Sequence, residues 1–300
     1  RLLSWTANNL ADGDLSRQLP AWQWGRAADG QWRVLDANAA SDADVWMAYA
    51  LVEAARRWKQ PRYAALGRAL AARILATETA RLPGLGLMLL PGPVGFHPAA
   101  GQWRLNPSYL PVPVLRGLAS ALAEPAWGEI AESAVRLLTV SAPHGFAPDW
   151  LLYDARHGVL SDTQSHGEGS YNAIRVYLWV AMINPADPSS VPLKLNYAPV
   201  LTQVMNAQAM PERVDAGKGT MLSAQGPAGF AQAVLPLLDV LADSDREHRF
   251  VHLFRQHVEA LPVEGYYNQV LRLFSQLWLQ GRYRFAADGS LMLSAPGECS

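Results

Sequence analysis

The 300-residue chain is 50% hydrophobic with a formal net charge of −1, which is enough apolar material for one large core over 1–300. The same balance excludes a nucleic-acid surface, since phosphate binding needs clustered Lys and Arg. Cys299 is the only cysteine, so a disulfide framework and a Cys-based metal site are excluded, and no run of about 18 apolar residues marks a membrane span.

Along the chain, apolar residues at helical spacing predict helices over 1–10, 45–58, 62–77, 112–123, 127–140, 171–183, 193–207, 228–241, 246–260 and 266–280. The start at Arg1-Leu2-Leu3-Ser4-Trp5 shows no charged-then-apolar leader and reads as mature or truncated. Pro and Gly punctuate the connections, and hairpins are expected over 95–105 and over 283–293 around Asp288-Gly289. Helix pairs joined by short turns fit an all-α toroid or a solenoid, and no repeat period favours the solenoid.

The stretch from Ala40 to Trp58 is the most informative. Ser41 and Asp44 have the spacing of a capping box, in which the hydroxyl and the acid satisfy orphaned backbone donors. One apolar stripe runs through Val45, Ala48, Val52 and Ala55, and a second through Met47, Leu51, Ala54 and Trp58. Such a helix lies inside a domain. Capping explains one acid and not two, and a carboxylate at the mouth of a buried helix either caps it, the reading the residues alone favour, or faces a cleft.

Ala40-Ser41-Asp42-Ala43-Asp44, followed by Met47-Ala48 and closing on Trp58, resembles the signature of family 8 glycoside hydrolases. Further matches are Leu19-Pro20-Ala21-Trp22-Gln23-Trp24-Gly25, Pro83-Gly84-Leu85-Gly86, Leu89-Leu90-Pro91-Gly92, Val94-Gly95-Phe96, Asn106-Pro107-Ser108-Tyr109-Leu110-Pro111 and Ala173-Ile174-Arg175-Val176-Tyr177. The resemblance implies an (α/α)6 barrel with small β-hairpin insertions and an inverting endo-β-1,4-glucanase. It also implies cellulose or cello-oligosaccharides as substrate, a periplasmic or secreted setting beside a bacterial cellulose synthase envelope complex, a monomer, and no cofactor. The 1–10 segment resembles the family's second helix, so the resemblance implies that the first helix is missing here. The loop after that helix, with its Ser-Glu-Gly-Gln-Ser-Tyr-Gly type segment and proton-donor Glu, is missing with it. The cellulase-like motifs favour cellulose over chitosan, whose cationic amines would favour further acids along a groove, and leave xylan open.

Inverting hydrolysis needs an acid for the leaving oxygen and a base for the water, roughly 6.5–9.5 Å apart. The family's base is the Asp of a Ser-Tyr-Asp-Ala-x-Arg motif, and here that run is Ser170-Tyr171-Asn172-Ala173-Ile174-Arg175. An amide can hold a water but is a poor proton acceptor. Three readings of Asn172 stand: an engineered knockout for trapping substrate, a natural replacement with Glu168 or Asp162 as the base, or a non-catalytic descendant. By resemblance Asp42 organises the sugar and the water at the centre of the site, and Arg175 pairs with the base carboxylate. Arg175 also has an alternative as an ordinary salt bridge on its helix.

Tyr109 and Tyr171 are the leading cleft aromatics, with Trp24, Trp46, Trp103 and Trp150 behind them and Asn106 and Ser108 in the same motif as Tyr109. Trp24, in a loop, is placed to stack on a sugar, whereas Trp46 and Trp58 fall at helical spacing and read as core. No metal site is expected: His248 and His252 stand four apart without an acidic third ligand. Gly167-Glu168-Gly169-Ser170 puts Ser out of frame for a nucleophile elbow, and the Gly-rich run 83–95 lacks the Lys-Ser/Thr ending of a phosphate loop.

Overall fold

The computed structural model describes residues 1–294, and Cys299 lies outside them. The chain begins with α1 (Leu2–Leu10), the hairpin β1 (Gln23–Arg26) and β2 (Trp32–Asp36), then α2 (Ser41–Trp58), α3 (Pro61–Thr77), the hairpin β3 (Thr79–Leu82) and β4 (Gly86–Leu89), and β5 (Gln102–Leu105). A 3-10 turn, Pro107–Tyr109, leads into α4 (Val112–Leu122) and α5 (Pro125–Val140), followed by β6 (Leu151–Asp154), β7 (Gly158–Ser161) and β8 (Glu168–Gly169). Next come α6 (Ile174–Ala181), α7 (Ser190–Asn196), α8 (Pro199–Ala207), β9 (Val214–Asp215) and β10 (Thr220–Met221). The last elements are α9 (Ala228–Leu241), α10 (Asp245–Ala260), α11 (Tyr266–Leu279) and the hairpin β11 (Tyr283–Phe285) and β12 (Leu291–Leu293).

Helices α2, α4, α6, α9 and α11 follow one another around a ring, each packed on the next, while α3, α5 and α10 back α2, α4 and α9. A ring helix is covered on both its inner and outer sides and is therefore apolar almost all round. In α9 every residue from Gly229 to Leu238 is buried. Close approach sets one of these identities: a Cβ on Gly229 would stand 2.5 Å from Asn268 Oδ1 of α11. Between α11 and α2 lies an apolar groove of about 500 Å³, lined by Trp46, Tyr49, Ala54 and Trp58 of α2 and by Phe274 and Leu277 of α11. The Val45, Ala48 and Val52 stripe is buried, whereas of the second stripe Trp58 is exposed along this groove.

Several expectations are corrected. The Ser41–Asp44 capping box does not form. Ala40 is the N-cap, in extended conformation, and its carbonyl takes the N–H groups of Ala43 and Asp44 at 3.0 and 3.1 Å. The Ser41 N–H is held by the Pro91 carbonyl at 3.1 Å, and the Asp44 N–H that a Ser41 cap would take is already bound to Ala40. A capping box forms instead at Ser244 and Glu247 on α10. The expected helix over 193–207 is two helices, because Pro199 has no N–H to return to Leu195. The helix expected from 171 starts at Ile174. Residues 95–105 fold back on themselves as expected, through an antiparallel bridge between Ala99 and Gln102 and the Arg104 N–H on the Phe96 carbonyl at 2.9 Å. Their second arm, β5, also pairs with β6, nearly fifty positions on, which pairs with β7 in an antiparallel three-stranded sheet. The hairpin over 283–293 forms, with Tyr283 opposite Leu293. His248 and His252 are exposed on α10.

Candidate active site

Asp42 is the second residue of α2 and Arg175 the second of α6. Arg175 Nη1 donates to Asp42 Oδ2 at 2.7 Å, and Nη2 donates to Asn172 Oδ1 at 2.8 Å. The Ala43 N–H donates to Asp42 Oδ1 at 2.8 Å, completing the hold on that carboxylate. Burial works against the charge of the Arg175 guanidinium, but Asp42 together with Tyr267 and Tyr109 outweighs it, so Arg175 is held above its ordinary pKa. One fork therefore grips two side chains 133 and 3 positions away.

The orientation of the Asn172 amide follows from its neighbours. Ser108 donates to Asn106 Oδ1 through its backbone N–H at 3.0 Å and its hydroxyl at 2.7 Å, which turns Asn106 Nδ2 toward Asn172 at 3.1 Å. A guanidinium can only donate, so the oxygen of Asn172 faces Arg175. With Oδ1 taking two donors, Asn172 presents its NH2 group on the other side. There it can donate to a water but cannot accept the water's proton.

Asp149 builds the turn that carries Asn172. Its Oδ1 accepts the backbone N–H groups of Ser170, Asn172 and Ala173 at 2.8, 3.0 and 2.7 Å. These bonds satisfy N–H groups of the turn just ahead of α6, whose first helical residue is Ile174. Burial raises the Asp149 pKa although the three N–H groups oppose that shift. No motif in the sequence marks Asp149, because its partners lie 21 to 24 positions downstream.

Aromatic rings flank this centre. The Tyr109 ring lies 5.5 Å from the Arg175 guanidinium, and burial, then the Asp42 charge, push its hydroxyl up to about 12. Tyr109 meets Trp150 at 6.0 Å, and Trp150 lies parallel to Phe96 at the same spacing. Arg104 sits 4.1 Å over Trp150 and is fixed by Asp162 at 2.9 and 3.2 Å. On the opposite side Tyr171, 45% exposed, packs edge-on against Phe230 at 4.9 Å, and the Tyr267 hydroxyl donates to the Tyr171 carbonyl. Arg104, Asp149 and Tyr267 thus join the site without having been singled out in the sequence, and Phe96 was quoted there only within a family motif.

The structure brings Asp42, Asn172, Arg175, Asn106, Ser108, Tyr109, Tyr171 and Trp150 into one connected cluster. Other expected residues are engaged elsewhere. Both carboxylate oxygens of Glu168 take donors from Arg213 at 2.8 Å, and this pairing lowers the Glu168 pKa, making it a weak base. Asp162 is committed to Arg104. Trp24 lies in β1 and not in a loop, where it stacks on Trp32 at 4.8 Å and meets Trp5 in a T-shaped contact at 5.3 Å, while Trp32 is 61% exposed. Trp103 stacks on His97 at 5.2 Å.

Comparison with known proteins bears on the family and the fold. The family model described as glycosyl hydrolases family 8 matches residues 1–281. An endoglucanase of Salmonella typhi is 42% identical over 299 residues, covering 100% of this chain and 79% of that protein. One from Xanthomonas axonopodis pv. citri is 43% identical over 296 residues, covering 97% of this chain and 76% of its own. The crystal structure of endo-1,4-D-glucanase from Vibrio fischeri ES114 superposes with a TM-score of 0.91 at 40% identity, over 98% of this chain and 84% of that one. The helical ring is thus the (α/α)6 barrel that the sequence motifs implied. The chain belongs to glycosyl hydrolases family 8 and is a glycoside hydrolase of the endo-1,4-glucanase type.

Proposed function

We propose that the chain cleaves cellulose internally with inversion of configuration, in the periplasm or outside the cell as a monomer beside a bacterial cellulose synthase complex. The observation that carries the chemistry is the Arg175 fork on Asp42 and Asn172. Asp42 is the carboxylate that binds sugar hydroxyls at the reacting ring. Asn172 stands where a base must act, with its amide NH2 turned to the water side. An Asp there would place a carboxylate oxygen at that point, with Arg175 keeping it ionised. The aromatic cluster of Tyr109, Trp150 and Phe96 extends from the fork, which supports contact with several glucose units and attack inside a chain over removal of ends.

The amide favours a second reading, a subunit that binds β-glucan without turning it over. Reducing-end release and loss of viscosity from a soluble cellulose derivative separate the two when Asn172→Asp is made in a full-length chain that includes the family's proton-donor segment. General-base catalysis is worth about 10²–10⁴-fold, so a gain of that order supports the hydrolase reading. Binding with no reducing ends in either chain supports the binding subunit.

A further inference from the structure

The second acid of α2, Asp44, is 1% exposed, and Glu78, the residue capping the end of α3, is 0% exposed. All four of their carboxyl oxygens are buried without a donor. Both side chains leave fixed backbone: the Asp44 N–H is held by Ala40, and Glu78 donates to the Ile74 carbonyl at 2.8 Å and accepts from the Leu90 N–H at 2.7 Å. Two ionised carboxylates in such a place would be desolvated and mutually repelling. One proton between them converts an oxygen into a donor and satisfies the contact.

The charges bearing on the pair are those of its own members and of Asp42, two positions earlier on α2. From α6, Arg175 is directed onto Asp42, and Tyr109 of the 3-10 turn likewise faces Asp42 and Arg175. Among the described residues no cation acts on either member. Burial first, and then the neighbouring negative charges, raise the pKa of both acids.

We propose that Asp44 and Glu78 hold a proton between them as a hydrogen-bonded carboxyl pair, and that this pair positions Asp42. By not ionising together, the two buried acids leave Arg175 to serve a single carboxylate at the cleft. The shared proton stands on the burial of the two acids, on their four oxygens without a donor and on the backbone bonds of the adjoining Leu90 and Pro91 to Glu78 and Ser41 that bring the end of α3 to the start of α2, whereas the positioning role rests on the glucan-hydrolase reading of Asp42.

Infrared spectroscopy of the full chain at neutral pH tests the proton directly. A protonated-carboxyl carbonyl band is expected in the unsubstituted chain and is expected to vanish in the Asp44→Asn, Glu78→Gln double variant. Absence of the band in the unsubstituted chain overturns the shared proton, whether or not the variants fold. Calorimetric titration with cellopentaose tests positioning. Glu78→Gln alone frees Asp44 to ionise behind Asp42 and is expected to weaken binding about fivefold, with Asp44→Asn restoring it in the same background. A double variant as weak as the single, or weaker, overturns the positioning role. An unsubstituted chain that binds no cellopentaose overturns that role together with the glucan reading, and the infrared band still decides the proton.

Discussion

Arg175 Nη1 donates to Asp42 Oδ2 at 2.7 Å and so ties the start of α6 to the start of α2 across 133 positions. Both side chains are about one-fifth exposed, 19% and 21%, which leaves the pair reachable by a ligand and only partly screened by water. Nη2 of the same guanidinium reaches Asn172, so sugar-facing acid and water-facing amide are held in one geometry.

Lysine cannot reproduce that double grip. Arg175→Lys is expected to lose at least one charged hydrogen bond, costing about 1.5–3 kcal/mol, and to weaken cello-oligosaccharide binding as Asp42 is released. Urea denaturation with calorimetric titration measures both. Unchanged midpoint and affinity would show that the fork is incidental.

Asp149 acts through its Oδ1 on three backbone N–H groups, so replacements divide by whether an acceptor remains. Asp149→Ala strands those donors at about 1–3 kcal/mol for each one left unsatisfied. Asp149→Asn keeps an oxygen in place and is expected to cost less. Equal loss of stability from both would place the effect in the negative charge and not in the acceptor.

The Asp162–Arg104 pair gives a pH dependence of definite sign. Burial opposes the Asp162 charge, and Arg104 with the Ser165 N–H overrides it, so the folded pKa lies below the ordinary 3.8. The stabilisation is therefore present above the unfolded value and lost as pH falls through the lower folded one. Asp162→Asn is expected to unfold at a lower temperature at neutral pH, with the difference closing in strong acid. A gap that stays constant with pH would contradict this.

Aromatic substitutions are expected to separate support from binding. Trp24 packs against Trp32 and Trp5, so Trp24→Ala lowers stability and leaves oligosaccharide affinity nearly unchanged. Tyr109→Ala, in the strip beside Arg175, weakens affinity by about 1 kcal/mol, near fivefold. The reverse pattern would place the binding surface on the β1–β2 hairpin.

What the sequence made legible was local or carried by family motifs. Helical spacing gave the ring helices α2, α4, α9 and α11 closely, and the Asp42, Asn106, Tyr109 and Arg175 motifs meet in space as the resemblance implied. Bonds between distant positions stayed hidden: Asp149 to the Ser170–Ala173 turn, β5 to β6, and Tyr267 to Tyr171. Asp44 is the instructive error. Its spacing from Ser41 is that of a capping box, yet the Ala40 carbonyl already takes the Asp44 N–H and the Pro91 carbonyl the Ser41 N–H, and the acid turns inward to Glu78.

The most direct test of the centre uses an activated β-cellotrioside bearing a dinitrophenyl leaving group, which needs no protonation and so reads the water-activating step alone. Proton NMR of the first product gives its anomeric configuration, and release of the phenolate gives the rate. The account predicts that Asn172→Asp is about 10²–10⁴-fold faster than the unsubstituted chain, that its first product is the α-anomer, and that adding Asp42→Asn abolishes the gain. An unchanged rate, or a β-anomer as first product, would contradict the placement of the water-activating group at residue 172.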